Sequence, residues 1–243
     1  MLRWLEAAEP AARAVVDTAP VTDRECDGTW FVGVDALAND AAGAVNGSGP
    51  LEGAAMAFLR DLLGAKMPPL HPAQLSAIYP GYPRPRAGES EAAFGYRQRR
   101  DAAHVDGLLA VGEDRRRMLK EPHAFVLGLP IDACTAETSP LVVWEGSHHI
   151  MRAAFERALA DCSPDHWAEV DLTDIYKAAR REVFETCARV QILAGRGEAI
   201  LLHRHLLHGI APWTGKTASP HGRLVAYFRP QFPQGSADWL RKP

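Results

Sequence analysis

The feature that most constrains this chain is a series of short apolar runs in its second half, at 123–131, 141–144, 189–193, 198–203 and 223–228. Each run is only strand length, rich in β-branched, aliphatic and aromatic residues, and bounded by turn-forming residues. Helical spacing interrupts the series once, over 150–188, where Ile150 to Ala160 and Thr173 to Ala188 carry charged outer faces. A parallel sheet needs a crossover, usually a helix, between its strands, and that alternation is missing. Antiparallel strands folded back on themselves satisfy the pattern. The expected class is mainly β with helices: a jelly roll, or double-stranded β-helix, forming one domain over 1–243. Its N-terminal decoration covers about 1–70 and its helical insert about 150–188.

The first half is less regular. A short helix is expected near 2–8 and a strand around 30–34. Pro50 can open a helix whose apolar face is Met56, Leu59, Leu62 and Leu63, stopped by Gly64. Pro68, Pro69 and Pro72 mark a loop, 74–79 alternates like a strand, and 80–85 is a turn. Residues 95–106 read as extended, Arg115-Arg116-Arg117 as part of a helix with a solvated face, and Trp239 as part of a short terminal helix.

Composition excludes several classes. With 243 residues the chain can build a full core. A net charge of −3 gives no electrostatic reason to expect nucleic acid. No apolar run reaches the roughly 20 residues of a membrane span, and the N-terminus lacks the apolar stretch of a signal peptide. Cys26, Cys134, Cys162 and Cys187 are scattered without a C-x-x-C pair, which fits free thiols in a reducing cytoplasm. The sequence carries no signature of a particular oligomeric state.

Chemistry is concentrated in the histidines. His104-Val105-Asp106 places an imidazole and a carboxylate two positions apart, on the same side of an extended strand. Joined by one later histidine, such a pair makes the facial 2-His-1-carboxylate site that suits non-haem Fe(II) and leaves coordination positions open. The triplet alone is within reach of chance. The segment Leu201-Leu202-His203-Arg204-His205-Leu206-Leu207-His208-Gly209 adds weight, because it ends a strand run at a glycine, where a ligand can face a barrel interior.

Four blocks in order resemble the phytanoyl-CoA dioxygenase family of Fe(II)/2-oxoglutarate-dependent oxygenases, over roughly residues 70–230. They are Ala77-Ile78-Tyr79-Pro80-Gly81-Tyr82-Pro83, His104-Val105-Asp106, the segment from Ser139 to His148, and the segment from Gly197 to Gly209. The resemblance implies that His104, Asp106 and His208 hold the iron, His208 being the distal ligand because it directly precedes Gly209. It implies that an arginine on the following strand binds the far carboxylate of 2-oxoglutarate, a role a guanidinium fork fills better than an ammonium. Arg223 is the first candidate and Arg229 the reserve; Tyr79, Gln98 and His123 are further candidates to line the pocket.

The sequence departs from the family pattern at several points. The gap from His208 to Arg223 is long and requires an extended hairpin over 214–221. Ile210 stands where a small polar residue is usual, Glu145 where proline is usual, and Thr138-Ser139 where Asn-Gly is usual. The implied activity uses Fe(II), 2-oxoglutarate and O2, and releases succinate and CO2 while a small-molecule substrate is hydroxylated. Asp106 favours hydroxylation over halogenation, since related halogenases replace that carboxylate. A cupin-like binding protein without oxygenase activity, or a zinc-dependent jelly-roll enzyme, would keep the triad and lose 2-oxoglutarate.

Overall fold

The computed structural model describes residues 1–216 and 221–242. Its helices are α1 (Leu2–Thr18), the single turn α2 (Glu25–Gly28), α3 (Ala54–Leu63), α4 (Glu91–Arg99), α5 (Ser147–Leu159), α6 (Thr173–Thr186) and α7 (Asp238–Arg241). Its strands are β1 (Trp30–Leu37), β2 (Ala73–Ile78), β3 (Leu108–Val111), β4 (Arg116–Leu119), β5 (Phe125–Pro130), β6 (Leu141–Trp144), β7 (Arg189–Ile192), β8 (Ile200–His203), β9 (His208–Ile210) and β10 (Arg223–Phe228).

Two antiparallel sheets form the jelly roll. The larger has the order β1-β2-β10-β5-β8 and the smaller the order β7-β6-β9. An isolated bridge between His104 and His208 lays the His104 segment along the free side of β9 and extends the smaller sheet. Between the sheets lies a cluster of Val126, Leu141, Val143, Leu202, Val225 and Tyr227. The opposite face of the larger sheet packs under α1 and α3, where Trp4 meets Phe228 edge-on at 5.9 Å. β10 is thus covered on both faces and all six of its residues are buried, so its sequence is a continuous apolar run after Arg223 rather than an alternation. On the smaller sheet, Trp144 packs edge-on against Phe184 of α6 at 5.2 Å.

Several sequence expectations need correction. The first helix runs to Thr18, through Pro10, and not merely to residue 8. Residues 91–99 are helical rather than extended: Ser90 caps the helix by accepting a hydrogen bond from the Ala93 amide, and none of its residues is buried. An exposed helix has no apolar stripe to betray its period. Arg115 is not helical but turns with φ 51°, and Arg116 and Arg117 lie on β4, paired with β3. The expected 214–221 hairpin includes 217–220, which lie outside the described residues. Residues 30–37 form the edge strand of the larger sheet, so the segment before residue 70 contributes to the barrel wall.

Candidate metal centre and its two cavities

The structure brings His104, Asp106 and His208 together, with one ligand atom from each lying within 4.8 Å of the others. Their placement follows from local packing. His104 and His208 exchange backbone hydrogen bonds, His104 N to His208 O at 2.8 Å and His208 N to His104 O at 3.0 Å. Gly209 is required beside this contact: a Cβ there would lie 2.1 Å from the Asp101 carbonyl oxygen. Gly107, at φ +84°, turns the chain after Asp106, and a Cβ there would lie 2.0 Å from the Glu121 carbonyl oxygen. Arg189 clamps Asp101 through two 2.7 Å hydrogen bonds, and the Val105 amide donates to the Tyr176 hydroxyl at 3.1 Å.

The ring orientations are chemically informative. His104 Nδ1 lies 3.0 Å from the Ala102 carbonyl oxygen, and His208 Nδ1 lies 2.9 Å from that of Leu206. A carbonyl can only accept, so both Nδ1 atoms carry a proton and both Nε2 atoms are turned toward the site. Those Nε2 atoms face Asp106 Oδ1, at 3.1 Å from His104 and 3.7 Å from His208. Burial acts to raise the Asp106 carboxyl, but His104, His208 and Arg229 outweigh it and hold the group well below the usual carboxylate range. Burial pushes His208 down to about 4 against the pull of Asp106, which keeps the ring neutral near pH 7. Two imidazole Nε2 atoms and a carboxylate oxygen therefore converge, each ring fixed by its Nδ1–carbonyl bond, a donor set that suits a divalent cation.

The triad sits where two cavities meet, for His104, Asp106, Trp30, Ile210 and Arg229 line both. The inner one, about 230 Å³, lies between the sheets among Val126, Leu141, Leu202, Ser76, Gln74 and Tyr227. The outer one, about 410 Å³, opens between α4, the β3-β4 hairpin and α6.

The remaining sequence candidates separate. Arg223 starts β10 on the side that also carries Val225 and Tyr227, and is 3% exposed. Its guanidinium lies beside the Tyr227 phenol, yet its Nε and one terminal nitrogen are buried without a partner. Arg229 lies just beyond β10, with one nitrogen 3.6 Å from Asp106 and another donating to Gln74 at 2.6 Å. Tyr79 packs beneath the Arg24 guanidinium, 4.0 Å from its ring centre, and like Arg223 it is not among the residues that line the two cavities. Gln98 is exposed on α4. His123 is buried behind the site, its Nδ1 2.8 Å from the Arg229 carbonyl oxygen and its Nε2 3.1 Å from Glu121. Sequence reasoning missed Tyr227, which lines the inner cavity from β10, and Tyr176 of α6, whose hydroxyl accepts from the Val105 amide between His104 and Asp106. It read Arg117 as solvated, yet Arg117 stands in the outer wall with Arg100 and Arg180.

No protein-family model matches the chain, and no curated protein matches it. Among solved structures it is similar to the non-haem alpha-ketoglutarate-dependent carbocyclase SnoK from nogalamycin biosynthesis, at 14% identity and TM-score 0.48, over 96% of this chain and 79% of that one. It is similar to EctD from S. alaskensis with 2-oxoglutarate and 5-hydroxyectoine, at 16% identity and TM-score 0.48, over 96% and 68% of the two chains. HygX from Streptomyces hygroscopicus, with nickel and 2-oxoglutarate bound, shares 17% identity at TM-score 0.37, over 76% and 67%. These likenesses concern the path of the backbone.

Proposed function

We propose that this chain is an Fe(II)/2-oxoglutarate-dependent dioxygenase, hydroxylating a small organic molecule with release of succinate and CO2, in line with its resemblance to the phytanoyl-CoA dioxygenase family. The observation that carries the reading is the convergence of two Nε2 atoms and the Asp106 carboxylate, each ring fixed by its Nδ1–carbonyl bond. Two imidazoles and one carboxylate are the donor set of the open-sided iron centres. His104, Asp106 and His208 would hold the metal. Bound there, iron supplies the oxygen activation that couples oxidative decarboxylation of a 2-oxo acid to C–H oxidation.

The protein's own part is positioning. Arg223 would anchor the far carboxylate of 2-oxoglutarate. Leaving its two buried nitrogens unpaired costs about 1–3 kcal/mol each, and a carboxylate that reached them past Tyr227, the inner-cavity residue beside Arg223, would relieve that cost. Arg229 is already committed to Asp106 and Gln74, so it steadies the metal-binding carboxylate rather than serving as anchor. Val126, Leu141 and Leu202 line the inner cavity and keep water from it. The free cysteines suit a reducing compartment such as the cytoplasm.

Anaerobic titration of the protein with Fe(II) and then 2-oxoglutarate tests the reading. A visible metal-to-ligand charge-transfer band is expected, together with succinate release on admitting O2. Arg223→Ala should weaken 2-oxoglutarate binding by about tenfold or more, the loss of a charge-assisted pair. Iron-loaded protein that develops no band would sink the proposal.

A further inference from the structure

We propose that the outer cavity is the substrate chamber and that it takes an anionic molecule, its phosphate, sulfate or carboxylate group held by Arg100, Arg117 and Arg180. That the ligand is a substrate rests on the oxygenase reading above; that it is an anion rests on the wall itself.

Six arginines line this cavity, Arg86, Arg97, Arg100, Arg117, Arg180 and Arg229, against two carboxylates, Asp106 and Glu121. Three of the six are occupied. Arg97 is paired with Glu89 at 2.7 Å, Arg86 with Glu25 at 3.2 Å, and Arg229 faces Asp106. Both carboxylates are occupied too, Asp106 by the triad and Glu121 by His123 at 3.1 Å. Arg100, Arg117 and Arg180 have no ion-pair partner among the described residues.

These three are not a solvated fringe, for each is partly buried. Tyr176, Arg180 and Phe184 recur at four-residue spacing along one face of α6. Arg180 lies 5.4 Å from the Tyr176 ring centre and 5.5 Å from that of Phe184, and its Nε is buried without a partner. Arg100, just past α4, lies 4.3 Å over the same Phe184 ring. Arg117 comes from β4, with one nitrogen donating to the Leu108 carbonyl at 3.1 Å. Stacking holds a guanidinium by its face and leaves its N–H edge available, which is the edge an oxyanion binds. Two such groups and the Arg117 guanidinium, from three elements around a space that also contains His104 and Asp106, place an anion within one small molecule's length of the metal centre. A volume of about 410 Å³ is within the range of small-molecule sites.

The test is calorimetric titration of metal-free protein with inorganic phosphate, sulfate and acetate in turn. Saturable binding of at least one is expected. A preference for phosphate or sulfate points to a phospho- or sulfo-ligand, and a preference for acetate to a carboxylate. The Arg100→Ala/Arg180→Ala double variant should bind about tenfold more weakly or worse. Arg100→Lys/Arg180→Lys keeps charge but loses fork and stack, so it should fall between, and it guards against misfolding of the alanine variant. Arg223→Ala should leave phosphate affinity unchanged, which separates this wall from the buried Arg223 guanidinium. The proposal is overturned if no anion binds saturably, if the double variants bind as wild type does, or if Arg223→Ala alone abolishes binding. Anion binding lost with the charge-transfer band intact removes only the cradle. Anion binding without the band leaves an anion site in a protein that is not an oxygenase.

Discussion

At the scale of single residues, the histidines divide into two chemically opposite groups. His104 and His208 have each ring nitrogen assigned, one to a carbonyl and one to the triad. His205 has neither: it lies between Phe155 and Trp239, with centroids 5.6 and 4.5 Å away, and both its nitrogens are buried without a partner. Its neighbours His203 and His148 stand 5.1 and 5.0 Å along a chain of rings, His203 to His205 and His148 to His203. Burial, reinforced by Arg204 and the neighbouring imidazoles, drives His205 well below its ordinary value and His203 down to about 3. A histidine whose folded value is depressed contributes its full stability above the unfolded value, near 6.5, and loses it as pH falls toward the folded value. Acid should therefore destabilise this protein from about pH 6.5 downward. His205→Leu removes a buried group that lacks its hydrogen bonds, so it should stabilise by about 1 kcal/mol or more and raise Tm by about 2–4 °C. It should also flatten the loss of stability between about pH 6.5 and 4. Thermal melts across pH check both; a lower Tm at every pH would show that the imidazole contributes more by packing than it costs in lost hydrogen bonds.

At the scale of elements, the metal centre depends on a segment strapped to the edge of β9. Backbone exchange between His104 and His208 holds it, and Gly209 lets the Asp101 carbonyl approach. Gly209→Ala would put a Cβ 2.1 Å from that oxygen, a distance that forces the strap away. The expected result is a chain that still folds, with Fe(II) affinity reduced by about tenfold or more, the scale on which displaced or unsupported ligands lose metal. Circular dichroism and Fe(II) titration read the two effects separately; unchanged metal affinity would refute the strap. The same elements explain what the sequence disclosed. β5, β6 and β10 were legible because they are short apolar runs buried in the sheets, and β8 because it is an apolar run too, though only Leu202 of it is buried. The His-x-Asp triplet and the His-Gly pair were legible because a metal ligand and a forced glycine leave local marks. α4 was not, having no buried face, and β4 was not, since Arg116-Arg117 reads as solvated in either structure. The arginine wall was invisible for a different reason. Arg100, Arg117 and Arg180 come from a helix end, a hairpin and the helical insert, and only the fold gathers them.

At the scale of the whole molecule, the segment before residue 70 is structural wall rather than trim. Trp4, Leu5, Ala8, Ala12 and Val16 of α1 are buried in the same hydrophobic cluster as Leu75 and Ala77 of β2, Leu127 and Leu129 of β5, and Leu224, Ala226 and Phe228 of β10. The Trp4 indole donates to the Gly43 carbonyl at 2.7 Å, tying the helix to the loop after β1. Arg13 binds Asp132 at 2.6 Å, and Asp132 in turn accepts from the Leu224 amide at 3.0 Å. Removing α1 would expose the outer face of the larger sheet, the sheet whose inner face carries Tyr227 and Arg223. Burial of Trp4, Leu5 and Val16 alone contributes about 1.5–3 kcal/mol apiece. Their sum is comparable to the roughly 5–15 kcal/mol by which a typical domain is stable. A chain lacking residues 1–20 should therefore fail to fold cooperatively, losing near-ultraviolet circular dichroism and any sharp thermal transition, and losing 2-oxoglutarate binding with them. Trp4→Ala is the milder version, expected to cost about 3–5 kcal/mol while retaining a cooperative melt. Were the truncated chain to melt sharply near the full-length Tm, α1 would be an appendage and the barrel would stand without it.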